Sequence, residues 1–153
     1  MKRNGKLSGV LHVLLHMAEL DAPITSEALA GAMQTNPVVV RRLMAGLRQA
    51  GFVSSAKGHG GGWVLSCSLG SVTLGDIHNA VGAPALLAMG NRTESPGCIV
   101  EQAVNAALDG ACQEAEALLL RRLNGITLAD LSKDFHRRMT GGGFTLKDIA
   151  HAP

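Results

Sequence analysis

Aromatic side chains are nearly missing from this 153-residue sequence: they make up 3% of it, with three phenylalanines, one tryptophan (Trp63) and no tyrosine. A protein that stacks single-stranded bases on aromatic platforms is thereby disfavoured. Long apolar runs are missing as well, since none approaches the roughly 18 residues of a membrane-spanning helix. The opening stretch MKRNGKLSGV lacks the charged-then-apolar pattern of a secretory leader, so a cytoplasmic protein without a membrane partner is expected. Cysteine is sparse. Cys67, Cys98 and Cys112 are an odd number and do not form a disulfide framework. No local Ser/His/Asp or paired-carboxylate motif is present either, and no enzymatic reaction is expected.

Hydrophobic residues are plentiful at 46%, against 17% charged, which supports a real core and excludes disorder. The length suits one ordinary domain, or a small domain with an appendage. Net charge is only +2, but residues 1–60 hold seven basic against three acidic residues, and the remainder seven against nine. A basic N-terminal part suits a polyanionic partner.

The stretch KLSGVLHVLLHMAELD predicts a helix that is apolar on two faces: Leu7, Leu11, Leu14, Leu15 and Ala18 on one, Val10, Val13, Met17 and Leu20 on the other. Two shorter helices follow. Thr25 or Ser26 caps the first, and Thr35 or Asn36 caps the second, with Pro37 in its first position, where a missing N–H costs nothing. The second helix would bury Val40, Leu43, Met44 and Leu47, stop at Gly51, and leave Val38, Arg41, Arg42 and Arg48 elsewhere. The short turn QTN between them makes a helix-turn-helix. A hairpin, Phe52–Ala56 with Gly62–Ser66, comes next, then a helix over SVTLGDIHNAVGAPALL capped by Thr73, and a turn-rich linker at 90–97. From Cys98 to Asn124 runs a long helical pattern with a bend expected at Asp109-Gly110. In it Val104, Leu108, Ala111, Ala115 and Leu118 alternate at spacings of four and three, the seam of a helix that pairs with a like partner. ITLADLSKDFHRRMTGGGF predicts one more short helix and a loose tail.

The hairpin tip lies in SSAKGHGGGWVLS. A nucleotide-binding loop needs its glycines between a strand and a helix N-terminus, where N–H groups and dipole hold the anion. Here a strand-like run follows, so no nucleotide is expected. A glycine-rich turn that brings Lys57 and His59 near the phosphates of DNA fits the context better.

The fold class expected is mainly α with a small β-hairpin wing: a winged helix-turn-helix over 1–70, a connecting helix and linker over 71–97, and a dimerisation helix with C-terminal tail over 98–153. LAGAMQTNPVVVRRLMAGLRQAGFVSSAKGHGGGWVLS, VTLGDIHNAV and RRLNGITLADL, in that order, resemble the Rrf2 family of bacterial transcription regulators. The resemblance covers nearly the whole chain. It implies a homodimer, joined by the long helix, on the double-stranded DNA of a pseudo-palindromic operator. It further implies that Asn36, Val38, Arg41 and Arg42 face the major groove or its rim, where arginine can contact guanine with two hydrogen bonds. Lys57, His59 and Gly60 would then reach the minor groove or the backbone.

Many members of that family hold an iron–sulfur cluster on three cysteines crowded in the linker. This chain departs from the pattern: Cys98 and Cys112, on one helix, would stand ~21 Å apart at the ~1.5 Å rise per residue. No resident cofactor is therefore expected. Cys98, near the start of the long helix, is the sensing candidate, because the macrodipole there favours the reactive thiolate. Cys112 and Cys67 are the lesser candidates and suit packing. His12, His16 and Glu19 share a stripe that could meet zinc, but no fourth ligand is evident and no metal site is expected. The sequence thus predicts a DNA-binding regulator, a repressor, that responds to redox or thiol stress through Cys98. The alternatives are a regulator answering a small molecule or an atypically ligated iron–sulfur cluster, and a protein–protein module that binds no DNA.

Overall fold

A computed structural model describes residues 5–87, 89–91 and 93–143. Lys2 and Arg3, two of the basic residues in 1–60, lie outside that set, as does the tail beyond residue 143. In chain order the elements are α1 (Lys6–Ala18), α2 (Ser26–Ala32), α3 (Pro37–Gln49), β1 (Val53–Ala56), β2 (Gly62–Leu65), a 3-10 turn at Leu69–Ser71, α4 (Leu74–Ala80), α5 (Ile99–Asn124) and α6 (Leu128–Gly142).

Local chemistry sets the boundaries of the helix-turn-helix. Thr25 Oγ1 accepts from the Ala28 N–H at 3.2 Å and starts α2. Asn36 Oδ1 accepts from the Val39 N–H at 3.0 Å and starts α3, with Pro37 at its first position. Beyond α3 the chain reverses at Gly51, whose φ of +82° is open to glycine at no steric cost. Beneath this motif Val13, Leu14 and Met17 of α1 meet Leu29 of α2, Val40, Met44 and Leu47 of α3 and Val53 of β1, all buried. Each such side chain contributes on the order of 1.5–3 kcal/mol when taken from water.

The strands pair antiparallel in the register Val53↔Leu65, Ser54↔Val64, Ser55↔Trp63 and Ala56↔Gly62. Ile24 adds a bridge to the far edge of β2, its N–H and C=O both bonded to Trp63 at 3.0 and 2.8 Å. The wing is thereby fastened to the segment that leads into α2.

Four expectations need adjustment. The helix expected over SVTLGDIHNAVGAPALL ends at Ala80, because Gly82 and Ala83 take φ values of +92° and +46° and Pro84 follows. Leu20, expected on a buried face, is 50% exposed because it lies past the end of α1. The long helix starts at Ile99 rather than at Cys98, which is its N-cap, and α5 runs without interruption through Asp109-Gly110 to Asn124. The last helix is not short: α6 has 15 residues, and Leu128 in its first turn is fully buried in the same core as Leu14 and Ile77. A two-bond bridge between Thr73 and Thr127, through Leu74 N–H to Ile126 O and Leu128 N–H to Val72 O (both 2.9 Å), seats it there. The winged helix therefore shares its core with a segment that follows the long helix.

Candidate nucleic-acid interface

The inward face of α3 uses its apolar residues, which leaves Val38 (61% exposed), Arg41, Arg42, Arg48 and Gln49 on the outside. Asn36 is exposed; its Oδ1 accepts the cap bond, and its amide N–H groups remain available to a ligand. Arg41 Nη2 donates to Glu27 Oε1 of α2 at 2.8 Å. Arg42 has no hydrogen-bonding partner among the described residues. The sequence gives no sign of the Glu27 contact, because a pair 14 positions apart joins two helices whose rotation is set only by tertiary packing.

Phe52 leads straight from this helix into the wing, its N–H bonded to Leu47 O at 2.9 Å. At the tip Lys57, Gly58, His59 and Gly60 are all exposed. Gly58 and Gly60 have φ of +99° and +78°, conformations an L side chain seldom adopts. Gly61 has no room for a Cβ beside the Ala56 carbonyl oxygen. These glycines build a tight turn, closed by the Gly61 N–H donating to Gly58 O at 3.0 Å, that presents Lys57 and His59 to solvent. At the base, Trp63 Nε1 donates to Ser26 Oγ at 3.0 Å, a second tie between wing and α2 that the sequence did not disclose.

α5 stands apart in its surface. None of its 26 residues is buried. Ile99, Val100, Val104 and Leu118 are 80%, 71%, 52% and 61% exposed, Ala111 and Ala115 are exposed, and Leu108 is half-buried. The preceding linker covers a different side of the helix. It is held by Glu116 Oε1 to the Leu86 N–H (2.9 Å), Asp109 Oδ1 to Asn91 Nδ2 (2.7 Å) and Glu101 Oε1 to the Ser95 N–H (3.2 Å). The apolar seam from Val104 to Leu118 is left open.

Cys98 is the N-cap of α5 and is exposed; its N–H donates to Ser95 O at 2.8 Å, and its thiol takes no part in capping. Cys112 and Cys67 are half-buried. Burial pushes the Cys67 thiol above its ordinary pKa, which disfavours the thiolate; its own backbone opposes this more weakly. The three do not fit a common cluster within one chain. The ~1.5 Å rise per residue of one unbroken helix sets Cys98 and Cys112 ~21 Å apart, and Cys67 follows the wing. Among the described residues no three His, Cys, Asp or Glu side chains group as a metal set. His12 and His16 stack at 4.5 Å between ring centroids, while Glu19 turns to His136 Nε2 of α6 at 3.1 Å. His12, His16 and Glu19 line a cleft of about 170 Å³ with Leu15 and Phe135. Burial, then the neighbouring His12, holds the His16 pKa below its ordinary value.

A helix-turn-helix, a hairpin wing with a glycine-shaped basic tip and a long helix with nothing buried are the parts of a winged-helix protein, an architecture that sets one helix in the major groove of DNA in many transcriptional regulators. A family model, Rrf2, described as an iron-dependent transcriptional regulator, matches residues 3–134. The chain belongs to the Rrf2 family. It is 27% identical over 128 residues to YwnA of Bacillus subtilis (strain 168), named as an HTH-type transcriptional regulator, covering 84% of this chain and 95% of that one. A solved structure described as IscR of T. potens is 25% identical, with a TM-score of 0.53 and coverage of 88% of both chains. The fold is matched further by a transcriptional regulator from Lactobacillus plantarum, with a TM-score of 0.69 at 22% identity over 89% of this chain and 93% of that one. Among the described residues no helix is long and apolar enough to cross a membrane.

Proposed function

We propose that the protein is a homodimeric repressor that binds double-stranded DNA at a pseudo-palindromic operator and answers thiol oxidation at Cys98. The observation that carries the DNA reading is the outer face of α3, where Val38, Arg41 and Arg42 are exposed beside a wing whose tip presents Lys57, His59 and Gly60. An α-helix fits the major groove, arginine matches guanine edges with paired donors, and an exposed valine suits a thymine methyl. Lys57 and His59, on a tip whose glycines let the backbone come close, suit phosphates.

Dimerisation is supported by α5. A 26-residue helix with no buried residue and a seam at Val104, Leu108, Ala111, Ala115 and Leu118 is unfinished in one chain. A second copy would close it and set two recognition helices on two half-sites. Repression follows by occupancy, since a dimer lying across a promoter excludes polymerase without any further contact. The signal reading is supported by the exposure of Cys98 at the junction of linker and α5. A disulfide or sulfenic acid formed there would alter how the linker seats on the helix.

Binding to duplexes from the protein's own promoter region, measured across salt concentrations with the mass of the complex, tests this reading. Affinity should fall steeply as salt rises, in complexes of two chains per duplex. Failure to bind at low salt would overturn the DNA reading and favour a protein–protein module.

A further inference from the structure

Glu27 is bound to the helix proposed to face DNA, although no part of the wing or the recognition surface contains it. It stands in the first turn of α2, and its Oε1 accepts from Arg41 Nη2 at 2.8 Å. Both side chains are largely exposed, 57% for Arg41 and 63% for Glu27. A pair at such exposure adds little to the fold. The two helices are held by Leu29, Ala30, Val40 and Met44, all buried. Glu27 also already meets the positive end of the α2 dipole, so it has no need of a cation. The contact asks for a role outside stability.

Arg41 makes no other hydrogen bond among the described residues. A guanidinium is a rigid fork of five donors, so fixing one of them fixes the direction of the rest. An arginine ordered before binding does not lose its rotamer freedom on the DNA. The carboxylate beside it cancels its charge at a distance and repels phosphates, which weakens any contact that depends on charge alone. Arg42 has no such neighbour.

We propose that Glu27 is a positioning residue for DNA recognition: it holds the Arg41 guanidinium so that its remaining donors meet a base edge, and it raises the preference for operator over random sequence. Arg42, with its charge uncompensated, then serves the backbone. This inference rests on the reading that α3 enters the major groove. It has a signature that neither a structural pair nor a simple negative charge would leave, because removal of Glu27 moves specific and non-specific affinity in different ways.

The test starts with duplexes enriched from a random library by the unaltered protein, with scrambled duplexes of equal length as the non-specific probe. Glu27→Ala, Arg41→Ala and the double variant are compared on both. Glu27→Ala should lower affinity for the enriched duplex about three- to tenfold, the equivalent of ordering one long side chain. Affinity for the scrambled duplex should hold or rise, and the melting temperature should fall by no more than the few degrees that loss of a carboxylate at the α2 N-terminus brings. In the Arg41→Ala background the loss on the enriched duplex should vanish. An unchanged ratio of the two affinities overturns the proposal, as does an equal loss in the Arg41→Ala background. If no sequence is enriched at all, the groove reading itself fails; enrichment without a Glu27 effect removes only the positioning role.

Discussion

Gly46 of α3 lies against the carbonyl oxygen of Ala80 at the end of α4, so closely that a Cβ has no room. The contact is backbone to backbone, and no rotamer change can relieve it. Gly75 in the same short α4 is pressed in turn against the Asn124 side chain at the end of α5. α4 thus touches the proposed recognition helix at one end and the long helix near the other.

Gly46→Ala should therefore separate α3 from α4. Overpacking of this kind costs about 1–3 kcal/mol, which a urea or thermal unfolding curve will register. Affinity for duplex DNA should fall further than for a control such as Gly31→Ala, where a Cβ meets open space. An unaltered melting temperature in Gly46→Ala would show that the two backbones approach less closely than this.

Opening the long-helix seam should leave each winged helix folded but alone. Val104 and Leu118 are exposed and contribute nothing to the core of the single chain. Val104→Glu with Leu118→Glu would place unpaired charges in the proposed dimer seam, at a cost of several kcal/mol. Sedimentation should report a monomer, helical content should persist, and operator affinity should drop about 10²-fold or more as two-site avidity is lost. A dimer that survives both changes would place the interface on another surface.

Much of this architecture is legible in the sequence because its causes are local. Thr25, Asn36, Thr73 and Thr127 each cap a helix through their own side chain, and each stands one to three residues before an acidic residue or proline that completes the signal. The buried set Val40, Leu43, Met44 and Leu47 follows from helical spacing alone. What spacing cannot reveal is contact between elements. Leu128 enters the core through pairing of Thr73 with Thr127, residues 54 positions apart on either side of α5. Glu27 with Arg41 and Ser26 with Trp63 depend likewise on how helices and wing are rotated against one another. The end of α4 was readable in principle from Gly82 and Pro84, but the apolar run through Leu86 and Leu87 masked it.

The charges of α3 and the wing should separate by their dependence on salt. Removing one phosphate-neutralising side chain lowers the slope of log affinity against log salt by about 0.9, so Lys57→Ala on two wings should flatten it by about 1.8. Arg42→Ala should act the same way and weaken all duplexes alike. A steep slope retained in both variants would show that neither residue neutralises a phosphate.

Stability should decline on acidification through the group around His16. Its pKa is held below the ordinary value of 6.5 by burial and then by His12, so the folded chain binds that proton less readily than the unfolded chain. The stabilisation is complete above about pH 6.5 and is lost as pH falls below it. The melting temperature should therefore drop between about pH 7 and 5, and His16→Asn should shrink that drop. Glu19 and His136 stand nearby as a pair at 3.1 Å, so Glu19→Gln, which leaves His16 in place, serves as the control.

Thiol oxidation should act through Cys98 and through no other cysteine. Cys98 is exposed at the head of α5, whereas Cys67 is half-buried with its pKa raised, which disfavours the reactive thiolate. Diamide, which takes two electrons from a pair of thiols and joins them as a disulfide, should change the operator affinity of the unaltered protein and yield a cross-linked pair on a non-reducing gel. Cys98→Ser should abolish both effects, and dithiothreitol should reverse them in the unaltered protein. Cys67→Ser should leave them intact, as should Cys112→Ser, whose thiol is half-buried in the middle of α5. An oxidant response that survives Cys98→Ser would move the sensor elsewhere. An unaltered protein indifferent to diamide would leave a small-molecule signal as the better explanation.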